Sequence, residues 1–193
     1  MKRIACLGII LAIVPLTVEI DRANAQTADT SPTTSAAASK LSPVDYNFIA
    51  QANLGAPFQV DSGRVAEGKA KTVEIRDYAH LMVTSHIPVV EALNAILKRK
   101  DIAASPNTLL DGAYHAMISS LKAEPRAALD RDYVDGQVEY QKGNAALFQY
   151  EIQYGTDPDL KEFAQKTLPK IEDHLQRALK LAKNEKLRTT ASK

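Results

Sequence analysis

Two long amphipathic runs meet across Gly155-Thr156-Asp157-Pro158, and that junction restricts the fold more than any other stretch. Asp157 can accept hydrogen bonds from the first free N–H groups of the helix that follows, and Pro158 suits its first position, where a missing N–H costs nothing. Gly155 closes the preceding run and suits the left-handed residue that often ends a helix. A stop and a start this close together turn the second helix back antiparallel to the first. The resulting hairpin spans Glu124 to Leu181.

The preceding chain follows the same plan. Ser42-Pro43 with Asp45 forms a capping-box start for a helix running toward Glu67 and ended by Gly68, with a kink or break expected near Pro57. A second helix covers Thr72 to Lys100. Its seam of Ile75, Ala79, Met82, His86, Val89, Leu93 and Ile96 alternates steps of four and three, the pattern of a helix packed along its length. Pro88 should bend this helix rather than end it, because the seam continues in phase. Asp101 to Asn107 reads as a loop and Thr108 to Leu121 as a shorter helix. The helix that begins at Glu124-Pro125 has an unusually polar inner stripe of Leu129, Tyr133, Gln137, Tyr140, Asn144, Leu147 and Glu151. The last helix carries Leu160, Ala164, Leu168, Ile171, Leu175, Ala178 and Ala182, and Pro169 should bend it. Ile75-Arg76-Asp77-Tyr78-Ala79 matches Leu160-Lys161-Glu162-Phe163-Ala164 in residue type, so the two hairpins read as a repeat. No stretch of β period competes. The expectation is all-α: a four-helix bundle over 42–183, with one short extra helix in the connection between the two hairpins, then a polar tail over 184–193.

Upstream, residues 1–25 read as a cleaved signal peptide. Lys2 and Arg3 precede the apolar run Ile4 to Val18, and Ala23-Asn24-Ala25 gives a small-x-small cleavage site before Gln26. The run is too short to span a membrane comfortably and contains Pro15. Cys6 is the only cysteine, so cleavage would leave a chain without thiol or disulfide chemistry. Residues 26–41 are rich in Ser, Thr and Ala and read as a disordered linker. These features place the protein in the periplasm or outside the cell. They are compatible with peripheral outer-membrane association and leave no transmembrane span after cleavage. The net charge of +1, with no basic patch among aromatics, excludes nucleic acid as a natural partner.

The stretches GRVAEGKAKTVEIRDYAHLMVTSH, LDRDYVDGQVEYQKGNAALFQYE and DLKEFAQKTLPKIEDHLQRAL resemble the bacterial exported "domain of unknown function 4142" family over Tyr46 to Ala182. The resemblance implies a ferritin-like bundle in a periplasmic or outer-membrane protein of no settled activity. His86 corresponds to the His of the family's Asp-His pair, with Ser85 in place of the acid, and His174 to the His before the last apolar run. Gln141 stands where the family often has a third His.

A ferritin-type di-iron centre needs two Glu-x-x-His pairs and two further Glu side chains pointing inward. The nearest match is Asp77-x-x-His80, which lies off the seam and reads as a solvated pair. Val83, Gly112 and Ile171 stand three residues before His86, His115 and His174, so none of these completes a pair. The plainer reading of His86 is a neutral core histidine bonded across the bundle to Gln137, Tyr140, Gln141, Asn144 or Glu151. The sharper reading is a mononuclear metal or small-ligand site made from His86 and His174 with Glu151 or Glu67. Tyr133, Tyr140 and Tyr154 fall near one face, either as packing or as a groove for an aromatic or peptide ligand. There is no nucleophile elbow, phosphate loop or zinc-protease motif. The expectation is therefore a non-enzymatic exported module for envelope stress or interaction. It would take a protein or small-molecule partner and need no cofactor. The alternative is a ferritin-like metal-binding or redox protein, for which a transition metal would be required.

Overall fold

The computed structural model describes residues 41–103 and 108–191. The expected signal peptide, most of the linker and part of the Asp101–Asn107 loop lie outside the described residues. Among the described residues there are five helices: α1 (Pro43–Lys69), α2 (Val73–Arg99), α3 (Thr108–Ala123), α4 (Arg126–Tyr154) and α5 (Pro158–Ala191). No strand occurs among the described residues, and the architecture is an all-α helical bundle.

Local chemistry sets most of the helix ends. The Asp45 N–H donates to Ser42 Oγ at 3.2 Å while Asp45 Oδ2 accepts from the Ser42 N–H at 2.7 Å, a complete capping box. Asp157 Oδ1 accepts from the backbone N–H groups of Asp159 and Leu160, both at 3.1 Å, and so starts α5. Lys69 Nζ donates to the carbonyls of Leu121, Lys122 and Glu124, which ties the end of α3 to the end of α1.

Contacts at the two ends fix the topology. Asp45 at the start of α1 bonds the α4–α5 turn. Asp130 near the start of α4 bonds the α1–α2 turn through the N–H groups of Lys71 (2.8 Å) and Thr72 (2.9 Å). Lys100, at the end of α2, pairs with Asp157 at 2.9 Å. Thus α1 and α5 run one way, α2 and α4 the other, and α3 carries the chain back along α1. There Tyr114 stacks on Phe58 with ring centroids 4.4 Å apart.

Two apolar clusters fill the bundle. One gathers Phe48, Leu93, Phe148, Leu160 and Ile171 near the α4–α5 turn. The other gathers Ile75, Ala79, Met82, Leu129 and Val134 near the α1–α2 turn. By length and composition α2 is apolar enough to cross a membrane, yet Ile75, Ala79 and Met82 on its seam are fully buried in the bundle. Leu160 is fully buried too, so Leu160→Ala should cost about 2–5 kcal/mol in urea unfolding. A neutral result would mean the α5 seam is misplaced.

Three expectations need correcting, the first of them in part. Of the kink or break expected near Pro57, the break does not occur, and α1 continues through the proline. Its flanking residues Ala52, Ala56, Phe58 and Val60 all bury, so packing outweighs the one lost backbone bond. Gly155 is extended (φ −61°, ψ 151°), not left-handed. The glycine is needed for space, since a Cβ there would sit 2.6 Å from the Glu151 carboxyl carbon and backbone oxygen. Finally, α5 runs on to Ala191 through the expected tail, where Arg188 pairs with Glu185 (2.5 Å) and reaches Glu74 of α2 at 3.4 Å.

Candidate functional site

Between the two apolar clusters, polar side chains from four helices meet at mid-bundle. Gln59 and Ser62 come from α1, His86 from α2, Gln137 and Gln141 from α4, and Thr167 and His174 from α5, all buried. Their seam phase points them inward even though they are polar, because the same helical stripe that supplies Ile75 and Leu93 passes through His86.

The two imidazoles lie together, with ring centroids 5.2 Å apart and planes tilted by 38°. His86 Nδ1 lies 2.9 Å from the Met82 carbonyl oxygen. A carbonyl only accepts, so Nδ1 carries the proton and Nε2 is left with a free lone pair. His174 is 4% exposed and its Nδ1 has no partner. Burial holds His86 down at about 4, against the pull of the Met82 carbonyl, and Lys170 lowers it further. Burial, then the neighbouring His86, holds His174 at about 4 as well. Both rings are therefore neutral at pH 7.

The surrounding amides are incompletely satisfied. Gln141 Nε2 donates to Gln137 Oε1 at 3.3 Å and lies 3.5 Å from Met82 Sδ, while its Oε1 has no partner. Neither amide atom of Gln59 is partnered. A cavity of about 10 Å³ bordered by His86, Asn144 and Thr167 is room for a single water.

The proposed metal set does not assemble as a whole. His86 and His174 meet, but Glu67 is half-buried at the bundle surface and pairs there with His80 at 2.8 Å. This also gives His80 a partner on α1 in place of Asp77. Glu151 is fully buried, but at the α4–α5 turn beside Asp45. Among the described residues no three His, Cys, Asp or Glu side chains come close enough to hold a metal ion. His115 is exposed and faces Asp111 at 3.5 Å. Nor do the tyrosines form one groove. Tyr133 packs in the core against Tyr78, the Tyr140 ring packs beside the stacked Phe58 and Tyr114, and Tyr150 and Tyr154 lie together, tilted, on the surface.

A family model described as a domain of unknown function, DUF4142, matches residues 30–181. The chain belongs to the DUF4142 family. No curated protein matches it. Among solved structures, the crystal structure of a DUF305 fragment from Deinococcus radiodurans is similar in fold. It has a TM-score of 0.66 and 12% identity, over 75% of this chain and 98% of that one. In this DUF4142 chain, Ser85 donates to the Leu81 carbonyl at 2.6 Å and lies 3.4 Å from His86 Nδ1, so it is a backbone-bonded neighbour of the ring. Gln141 lies inside the polar layer.

A second polar centre lies at the α4–α5 turn, where Asp45 does more than cap its own helix. Asp45 accepts from the Ser42 N–H and Oγ, the Thr156 N–H and Oγ1, and the Asp157 N–H, at 2.7 to 3.2 Å. Burial opposes its ionisation, but these hydrogen bonds hold its carboxyl well below the usual range. Burial, then the Asp45 carboxylate beside it, pushes Glu151 up to about 8, so Glu151 is a neutral acid at pH 7. Asp130 mirrors Asp45 at the other turn. The interval from Asp45 to Asp130 equals that from Ile75 to Leu160, and this was the signal in the sequence that could have found the pair.

Proposed function

We propose that this DUF4142 protein is an exported helical-bundle module of the cell envelope that acts by binding rather than by catalysis. One observation carries the reading: among the described residues, the polar groups that converge at mid-bundle, away from Asp45 and Glu151, are neutral imidazoles, amides and hydroxyls, with no acid–base pair among them. General acid–base work needs groups poised to exchange protons near the working pH, and His86 and His174 are held far from it. Export is supported by Lys2 and Arg3, the apolar run Ile4 to Val18, and the Ala23-Asn24-Ala25 site. A deletion strain should survive envelope stress poorly and be restored by the full chain but not by one starting at Gln26. The intact mass of the mature protein should show loss of residues 1–25. Restoration by the leaderless chain, or retention of those residues, contradicts the reading.

A second reading is metal binding at mid-bundle, favoured by the 5.2 Å approach of the His86 and His174 rings and the unpartnered His174 Nδ1. In it, Glu67 and Glu151 take no part. One equivalent of a transition metal should raise the unfolding temperature of the wild type but not of His174→Gln.

A further inference from the structure

We propose that Met82, His86 and His174 form a site for one soft monovalent cation of the Cu(I) class. This rests on the metal-binding reading above and adds the third donor and the identity of the ion.

Met82 and His86 stand four apart on α2, which places thioether and imidazole on the same inward face. Met82 is fully buried and His86 is 4% exposed. Two imidazoles that bind one ion at about 2.0 Å with a tetrahedral angle have centroids about 5 Å apart, and the observed spacing is 5.2 Å. The Nδ1–H of His86 donates to a backbone carbonyl, the outer-shell bond that orients metal-binding histidines and leaves Nε2 free. His174 adds a buried nitrogen with no competing partner.

The choice of ion follows from charge and softness. Among the described residues no carboxylate belongs to the mid-bundle layer. The charged side chains that act on the two rings are Lys170, Asp173 and Arg177, and Asp173 is paired with Arg177 at 2.7 Å. Nothing there neutralises an added charge. The self-energy of a buried ion rises with the square of its charge, so a divalent ion costs about four times as much as a monovalent one of equal size. Thioether with imidazole is a soft, neutral donor set and selects Cu(I) over Zn(II) or harder ions.

The test is an anaerobic titration of the mature protein with Cu(I) against a chromogenic Cu(I) chelator, and in parallel with Zn(II). One Cu(I) per chain is expected, bound at least about tenfold more tightly than Zn(II). Met82→Leu, close in volume, should weaken Cu(I) at least about tenfold and leave Zn(II) unchanged. X-ray absorption of the wild-type Cu(I) protein should show a sulfur neighbour, a readout that does not depend on any variant folding. If Zn(II) binds more tightly, or no sulfur neighbour is seen, or folded Met82→Leu binds Cu(I) normally, the thioether site is overturned while the histidine pair stands. If the folded wild type binds neither metal, both readings fall.

Discussion

Asp45→Ala is expected to destabilise the bundle by about 3–5 kcal/mol in urea, with the slope of the transition unchanged. Asp45 is fully buried and accepts five hydrogen bonds, from the start of its own helix and from the α4–α5 turn. Bonds to a charged acceptor are the stronger kind, about 1.5–3 kcal/mol each, though they do not add. Truncation also leaves the Thr156 and Asp157 N–H groups without their acceptor, the dearer half of the change. Asp130→Ala should cost less, about 2 kcal/mol, because Asp130 accepts two backbone bonds. Asp45→Asn separates charge from shape: it should cost less than Asp45→Ala. It should also lower the Glu151 titration, since the neighbouring negative charge is gone. A loss below about 1 kcal/mol for Asp45→Ala would contradict the role of Asp45 in joining α1 to the α4–α5 turn.

The metal-free protein should be most stable near pH 6.5 and lose stability on both sides. His86 and His174 are held at about 4 in the fold against an ordinary 6.5. Between those values the unfolded chain binds protons that the fold does not. Their contribution is therefore complete above pH 6.5 and is lost as pH falls toward 4. Glu151 has the opposite sign. Its folded value of about 8 lies above the ordinary 4.5, so between them the fold holds a proton that the unfolded chain releases. Its contribution is complete below pH 4.5 and is lost as pH rises through 8. Each group changes stability by at most about 1.4 kcal/mol per pH unit. From pH 4.5 to 6.5 the two histidines outweigh Glu151 and stability climbs; above 6.5 Glu151 alone remains and stability falls. Glu151→Gln should flatten the alkaline side and steepen the acid side, where Glu151 opposes the two histidines. Folding free energies from urea titrations at about pH 5, 6.5 and 8 check this. A wild type that gains stability between pH 6.5 and 8 would contradict the placement of Glu151.

The fold was legible where chemistry is local. Asp157-Pro158 and Ser42-Pro43 are start signals read from a few residues, and both helices begin there. The seam placed His86 in the interior because helical phase reports which face a residue takes. Phase does not report height along the bundle, and that is why Glu151 was grouped with His174. Both are buried, but Glu151 stands four residues before the α4–α5 turn and His174 seventeen after it. At 1.5 Å per residue their levels differ by about 20 Å. Glu67 failed for another reason: it closes a surface pair with His80, and a partner on another helix is not encoded in spacing. Asp130 carries no signal in local spacing, because its partners are backbone N–H groups in a turn far away in sequence. Gly155 misled because the demand on it is steric, set by the Glu151 side chain, and its backbone is ordinary.

The neutral histidine pair at mid-bundle is tested most directly by long-range ¹⁵N–¹H correlation spectra of the imidazoles in metal-free protein. At about pH 6, between the ordinary value of 6.5 and the depressed value of about 4, both rings should be neutral, with the His86 proton on Nδ1. An imidazolium at His86 or His174 under those conditions, or a His86 proton on Nε2, would contradict the site.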